Sequence, residues 1–392
     1  MAHDIFNPTP DHLSLREMAR AFAEREVEPQ AAEHDRTETF NLKLFKKLGD
    51  LGLLGVTVPE RFGGSGLDAV AAVIAHEELS ASDPGFTLAY LAHSMLFANN
   101  LAVNGDDAQR ERFLPAACAG RIVCGMAMSE PNAGTDVLGM QTRAKKDGDH
   151  YILDGAKMWI TNGCISATEL GDAFLVYART AEGPRGVSLF LVEKGMAGFS
   201  LGQKISDKLG MRASPTAELV FSECRVPKEN LVGHEGDAVL HMMRNLELER
   251  LTLAAMSLGI ARRSIEIMNA YARDRKAFGR PINQFGQIQR FIADSYAEYM
   301  AGRSYVYTTA ARLDLGAAGN RIDSDGVKLF CGTMAKNVAD RAIQCLGGYG
   351  YVGEYKVERL WRDAKLIEIG GGTVEAHQKN MARDLAQVDK LR

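Results

Sequence analysis

The sequence predicts an α+β chain in three parts. These are an N-terminal helical domain (1–123), a middle antiparallel β domain (124–236) and a C-terminal bundle of long helices (237–392). Three textures predict it. The first third spaces its apolar residues for helices. Near residue 125 come short β-rich runs, "HYILDGAKMWITNG", "AFLVYART", "GVSLFLVEK" and "AELVFSECRVP", separated by Gly, Asn, Asp and Pro, as strands and turns require. After about residue 237 the helical period returns, and "ELERLTLAAMSLGIARRSIEIMNAYARDR" alone holds it beyond 25 residues, as in a bundle with short connections.

Taken in order, "LSLREMARAFAEREVEP" places Leu15, Met18, Ala19 and Phe22 on one helical face, with Pro29 expected as its stop. "VPERFGGSGLD" reads as a loop. "AVAAVIAHEELSASDP" is helical and ends at Pro84, and "TLAYLAHSMLFANNLAVNG" is apolar enough for a buried helix. The β runs suggest a sandwich or barrel. There is no internal repeat.

Composition excludes several classes. Hydrophobic residues at 46% and charged residues at 24% describe an ordinary globular chain. A net charge of −4 offers no basic footprint for nucleic acid. Six cysteines lack any C-x-x-C pair, which suggests free thiols in a reducing compartment. "MAHDIFNPTP" lacks the basic and apolar regions of a secretory signal, and no apolar stretch of about 20 residues would span a membrane. The expected location is the cytoplasm of a bacterium, or the mitochondrial matrix for a processed eukaryotic chain.

"GYGYVG" at 348–353 satisfies G-x-G-x-x-G. Its context is wrong for a dinucleotide loop, because a helical pattern precedes it and no βαβ unit surrounds it. Four other segments are more specific: "AMSEPNAGTDVLG" (127–139), "KMWITNG" (157–163), "RKAFGRPI" (275–282) and "QCLGGYGYVGEYKVERLWRD" (344–363). In type, order and spacing they resemble segments of the acyl-CoA dehydrogenase family. "LELERL" and "RDAKLIEIGGGT" resemble its short branched-chain, isovaleryl-type members.

The resemblance implies FAD as cofactor, acyl-CoA as substrate, electron-transfer flavoprotein as electron partner, and a homotetramer. It implies a flavin site from Met126, Met128, Ser129, Gly134 and Thr135, with Trp159, Ile160 and Thr161 beside the ring. A flat, mostly apolar ring with a polar rim suits such a wall. Arg275 and Phe278 of a neighbouring subunit, with Gln344, Cys345, Leu346, Gly347 and Gly348, would hold the dinucleotide arm, and Thr373, Val374 and Glu375 would continue past it. Relatives usually carry glutamine directly after the phenylalanine of "QFGQIQ", where this chain has Gly286. Leu240 and the segment 164–172 depart from the isovaleryl-type pattern as well.

"LIEIGGGT" (366–373) raises the question of the base. Many straight-chain members place a glutamate just before the Gly-Thr, where this chain has Gly371. The resemblance moves the base to Glu249, and leaves the Gly371 N–H for the thioester oxygen. Thr135, Glu247, Leu248, Arg250, Gly370, Gly371 and Gly372 complete the expected substrate site, although Glu247 and Arg250 turn away from Glu249 around a helix. The missing bulk at Gly370 and Gly371 is expected to admit a methyl branch. The alternatives are a straight-chain dehydrogenase, an acyl-CoA flavin oxidase, a silent nucleic-acid-binding relative, or a helical scaffold without flavin.

Overall fold

The computed structural model describes residues 4–389, apart from 184 and 318. The N-terminal helices are α1 (Pro10–Phe22), α2 (Glu28–Thr37), α3 (Leu42–Asp50), α4 (Ala69–Ser80), α5 (Pro84–Leu91), α6 (Asn100–Asn104) and α7 (Asp107–Cys118). Thr9, Asn41, Asp68, Asp83 and Asp106 cap α1, α3, α4, α5 and α7 through side-chain acceptors, satisfying N–H groups that the first turn leaves over. Pro29 does not stop the first helix. A π-turn at Ala23–Val27 joins α1 to α2, with the Glu28 N–H bonded to Ala23 O. The widened turn carries the chain past a residue that cannot donate. Pro84 likewise begins α5 rather than ending α4, fitting the first-turn preference of proline.

The strands are β1 (Cys124–Ala127), β2 (Arg143–Asp147), β3 (His150–Thr161), β4 (Ala173–Arg179), β5 (Val187–Glu193), β6 (Phe199–Lys204), β7 (Thr216–Pro227) and β8 (Leu231–Val232). They form one sheet in the order β6-β7-β3-β2-β4-β5-β8, with β1 added beside β4. Pairing is antiparallel except at β4, which meets β1 in parallel from Cys124↔Ala173 and β2 at Arg143↔Arg179. The register between β3 and β7 slips between Lys157 and Ile160. That irregularity matters for the site.

The last part begins with the 37-residue α8 (Ala238–Asp274). A two-residue hairpin follows, β9 (Lys276–Ala277) and β10 (Arg280–Pro281), then α9 (Gly286–Ala310), α10 (Arg321–Leu346), α11 (Val357–Ile367) and α12 (Val374–Leu385). "GYGYVG" lies in 3₁₀ turns after α10, not between a strand and a helix.

The largest apolar core joins the N-terminal helices to the bundle, with Phe45, Val73 and Tyr90 packed in one cluster with Leu251, Met256, Val327 and Ile367. Buried charges cross the same boundary. Glu77 accepts from Arg16, Arg303, Tyr299 and Tyr307, and Glu78 from Arg16, Arg20 and Arg262. Removing one member of such a network costs about 3–5 kcal/mol, so α8 is held rigidly against α1 and α4.

Candidate active site

Glu249 lies on α8 and is buried. Its Oε2 has no hydrogen-bond partner among the described residues. Burial pushes its carboxyl up to about 7, against the pull of Arg250 and Lys328. Across from it, the turn after α11 brings Gly371 so close that a Cβ there would lie 3.5 Å from Glu249 Oε1. Gly371 and Gly372 adopt φ of +67° and +99°, conformations that favour glycine. No acceptor among the described residues takes the N–H of Gly371. An unpartnered carboxyl oxygen and a backbone N–H without an acceptor therefore lie close together.

The three glycines are not equivalent. A Cβ at Gly370 would meet only Leu366, at ordinary contact distances, so this residue does not shape the space beside Glu249 as expected. A Cβ at Gly371 would lie 2.3 Å from Leu253 Cδ1. The end of the Leu253 side chain thus lies where a side chain at Gly371 would go. Gly372 sits under the His377 ring, 2.8 Å from a would-be Cβ.

Other residues of the expected site have partners within the chain. Both Glu247 oxygens accept from backbone N–H groups of the loop before α10, at Gly319 (3.1 Å) and Asn320 (2.9 Å); Glu247 anchors that loop. Arg250 pairs with Asp325 of α10 at 3.1 Å. Leu248 packs into the main core. Thr373 spends its hydroxyl as the cap of α12, accepting from Ala376 N at 3.2 Å, while Val374 is half-buried and Glu375 exposed.

The middle-domain segments do come together. Met158 N donates to Ser129 O at 2.9 Å and Lys157 Nζ to Met128 O at 3.0 Å, so the strand carrying Trp159 is clamped to the turn after β1. Lys157 is fully buried and paired with Glu130 at 2.8 Å. Burial pushes the lysine down to about 8, opposed by Glu130. Glu130, despite burial, is held below the usual carboxylate range by Lys157 and accepts the N–H groups of Gln141 and Thr142. At the register slip Trp159 takes φ +66° and turns outward, 62% exposed, while Ile160 stays in the β core. Ile160 can therefore offer only backbone. Thr161 and Ser129 are half-buried, and Gly134 and Thr135 lie on the exposed loop. Met126, Tyr177 and Met242 share one apolar cluster, with Met128 and Leu246 against it, which directs this region toward the Glu249 turn of α8. The buried Tyr177 hydroxyl has no partner of good geometry among the described residues; burial pushes it well up, with Asn100 nearby opposing and the Glu249 charge adding to the rise.

A second location lies at the far end of α8. Arg275, Cys345, Leu346, Gly347, Gly348 and Tyr349 line an open groove of about 600 Å³. Gln344, just before them, is exposed. Phe278 at the hairpin tip has φ +50° and is 95% exposed. A bulky residue at positive φ is strained, and such strain gathers at ligand sites. Gly286 starts α9 with open space around it.

Family models for the N-terminal, middle and C-terminal domains of acyl-CoA dehydrogenase match residues 9–121, 125–224 and 239–386. This chain belongs to the acyl-CoA dehydrogenase family. It is 44% identical to a mitochondrial isovaleryl-CoA dehydrogenase of Oryza sativa subsp. japonica, over 97% of this chain and 92% of that one. Among solved structures it resembles butyryl-CoA dehydrogenase of Megasphaera elsdenii, with a TM-score of 0.92, 35% identity and coverage of 96% and 98%. It also resembles a chain solved with work on the electron transferring flavoprotein of Acidaminococcus fermentans, with a TM-score of 0.93, 36% identity and coverage of 97% and 99%. The chain is thus a flavin-dependent oxidoreductase that dehydrogenates acyl-CoA, with FAD as its cofactor. Among the described residues, no helix is long and apolar enough to cross a membrane.

The residues present fit that cofactor. An outward-turned Trp159, the clamped 126–130 segment and an arginine-bearing groove are what a flat ring and a charged dinucleotide arm need. Sequence reasoning missed Lys157, Tyr177, Leu253 and Lys328. For Lys157 a signal existed: a lysine whose strand alternation points it inward.

Proposed function

We propose that the chain oxidises a short, branched acyl-CoA to the 2-enoyl-CoA, with Glu249 as the base that takes the α-proton. The observation that carries this reading is the pairing of Glu249, its Oε2 unpartnered, with the acceptor-free N–H of Gly371. As the α-proton leaves, negative charge grows on the thioester oxygen, and a fixed N–H there lowers the barrier. A carboxyl near 7 suits a base at neutral pH. Bound FAD supplies the hydride acceptor. Met126, Met128, Ser129, Gly134, Thr135, Trp159, Ile160 backbone and Thr161 would hold its ring. Arg275, Phe278 and residues 344–348 of a neighbouring chain would hold its arm, within a homotetramer. Electrons would leave to an electron-transfer flavoprotein, a partner favoured by likeness to the Acidaminococcus-associated chain.

Branching rests on likeness to isovaleryl-CoA dehydrogenase. Leu253 beside Gly371 supports a second reading, a short straight-chain preference, for which the butyryl-CoA dehydrogenase likeness also speaks. An acyl-CoA panel with an artificial electron acceptor decides between them. A kcat/KM for isovaleryl-CoA at least about tenfold above butyryl-CoA supports branching; the reverse order overturns it. Failure of every acyl-CoA to bleach the flavin would refute the dehydrogenase reading itself.

A further inference from the structure

Behind the glycine turn lies a buried set of charges that the proposed chemistry does not yet use. Lys328 of α10 is 2% exposed and its Nζ donates to Ile367 O and, at 3.1 Å, to Gly372 O. Those two carbonyls bracket residues 368–371. Gly372 O accepts a second bond, 3.0 Å, from His377 Nε2. His377 Nδ1 lies 2.5 Å from Asp325 Oδ1, and the same oxygen meets Arg250 at 3.1 Å. Asp325 and His377 are almost completely buried. The path runs from α10 to the turn, to α12, back to α10, and on to α8 beside Glu249.

We propose that Lys328, backed by the Asp325–His377 pair, is a positioning residue for proton removal: it fixes the turn so that the Gly371 N–H stays aimed beside Glu249, and its ammonium offsets the Glu249 charge. Left-handed turns at Gly371 and Gly372 have other conformations open to them, since glycine is permissive. A buried ammonium bonding the carbonyls on both sides removes that freedom. An unpaired buried cation is costly, so Lys328 needs both carbonyls and a nearby anion. The titratable groups around it are Glu249 and Arg250 on α8, Asp325 on its own helix, Glu368 after α11 and His377 on α12, whose imidazole burial pushes toward the neutral form. Glu368 is already engaged by Lys365 at 2.6 Å, which leaves Glu249 as the anion without an ion-pair contact of its own.

This inference rests on Glu249 acting as base, and the test separates the two. FAD-loaded enzyme is mixed anaerobically with isovaleryl-CoA or butyryl-CoA, and flavin bleaching is followed from acid to alkaline pH. In parallel, acyl-CoA recovered from D₂O buffer is analysed for deuterium at the α-carbon. Lys328→Met should slow bleaching and α-exchange by about tenfold or more and raise the pH midpoint by about 1, with KM changed less than about threefold. Lys328→Arg, which keeps the charge, should restore most of the midpoint. A merely structural lysine would lower the yield of folded enzyme without moving the midpoint. Should Lys328→Met fail to fold, Asp325→Asn tests the same network by rate, because it removes the carboxylate charge that holds His377 against Gly372 O and is expected to slow exchange by several-fold. Wild-type bleaching with rate and midpoint unchanged in a folded Lys328→Met or Asp325→Asn enzyme overturns the proposal and leaves the dehydrogenase reading standing. Wild-type enzyme that neither bleaches nor exchanges overturns both.

Discussion

Replacing Glu249 by glutamine separates what the carboxyl does for chemistry from what it does to the fold. Burial raises Glu249 to about 7 from an ordinary 4.5, so the native chain holds this proton more tightly than the unfolded one. Stability from this group is therefore complete below the unfolded pKa and is lost as pH rises through the folded one. Through linkage, the carboxylate costs about 1 kcal/mol at pH 5 and about 3 kcal/mol at pH 8, relative to a side chain that stays neutral. With unfolding entropy near 2.1 cal/mol/K per residue over 392 residues, each kcal/mol moves the melting midpoint by about 1.2 °C. The melting advantage of Glu249→Gln over wild type should therefore grow by about 3 °C from pH 5 to pH 8. Scanning calorimetry on both proteins, saturated with FAD and heated at one rate, reads this directly. Turnover should fall by at least about 10². Two melting curves that stay parallel across the range would show that Glu249 is ionised or solvated, and would refute the buried-base reasoning.

Gly371→Ala places a side chain at φ +67° against Leu253 and should cost about 1–2 kcal/mol with slowed flavin bleaching, whereas Gly370→Ala, free of both constraints, should change stability by less than about 0.5 kcal/mol; denaturant melts compare them. Lys157→Met leaves Glu130 buried without its cation and unclamps Met128, so stability should fall by about 3–5 kcal/mol, and the fraction of protein purified with bound flavin should fall with it. Arg275→Ala should weaken FAD retention more than it weakens the monomer fold, as followed by flavin release on dilution.

Much of the site was legible because its signals are local. "LELERL" and "IGGGT" carry residue types that mean little unless they meet, and Glu249 and Gly371 do meet. The β texture and the long helices were equally plain. Other features were hidden by their dependence on distant partners. Pro29 reads as a stop until a π-turn lets the helix pass it. Glu247 resembles a site acid until the loop before α10 claims both its oxygens. Lys328 and Asp325 look like solvated helix charges, three residues apart, and only the packing of α10 against the glycine turn and α12 buries them. The leucine beside Gly371 was hidden for the same reason: it stands four residues beyond Glu249, and only the packing of α8 against the glycine turn brings it there.

The length of α8 has a genetic consequence. Glu249 and the helix end at Asp274 are separated by about 38 Å at ~1.5 Å per residue, too far for one cofactor molecule to touch both. In the proposed homotetramer, each chain would contribute the base to one site and the cationic arm, Arg275, to another. Two alleles that are inactive alone, one lacking Glu249 and one lacking Arg275, would damage different sites when their products assemble together. Some sites in the mixture would receive both intact halves. Co-expressed, the two inactive chains would regain a fraction of wild-type turnover, and two alleles altered at Glu249 would not.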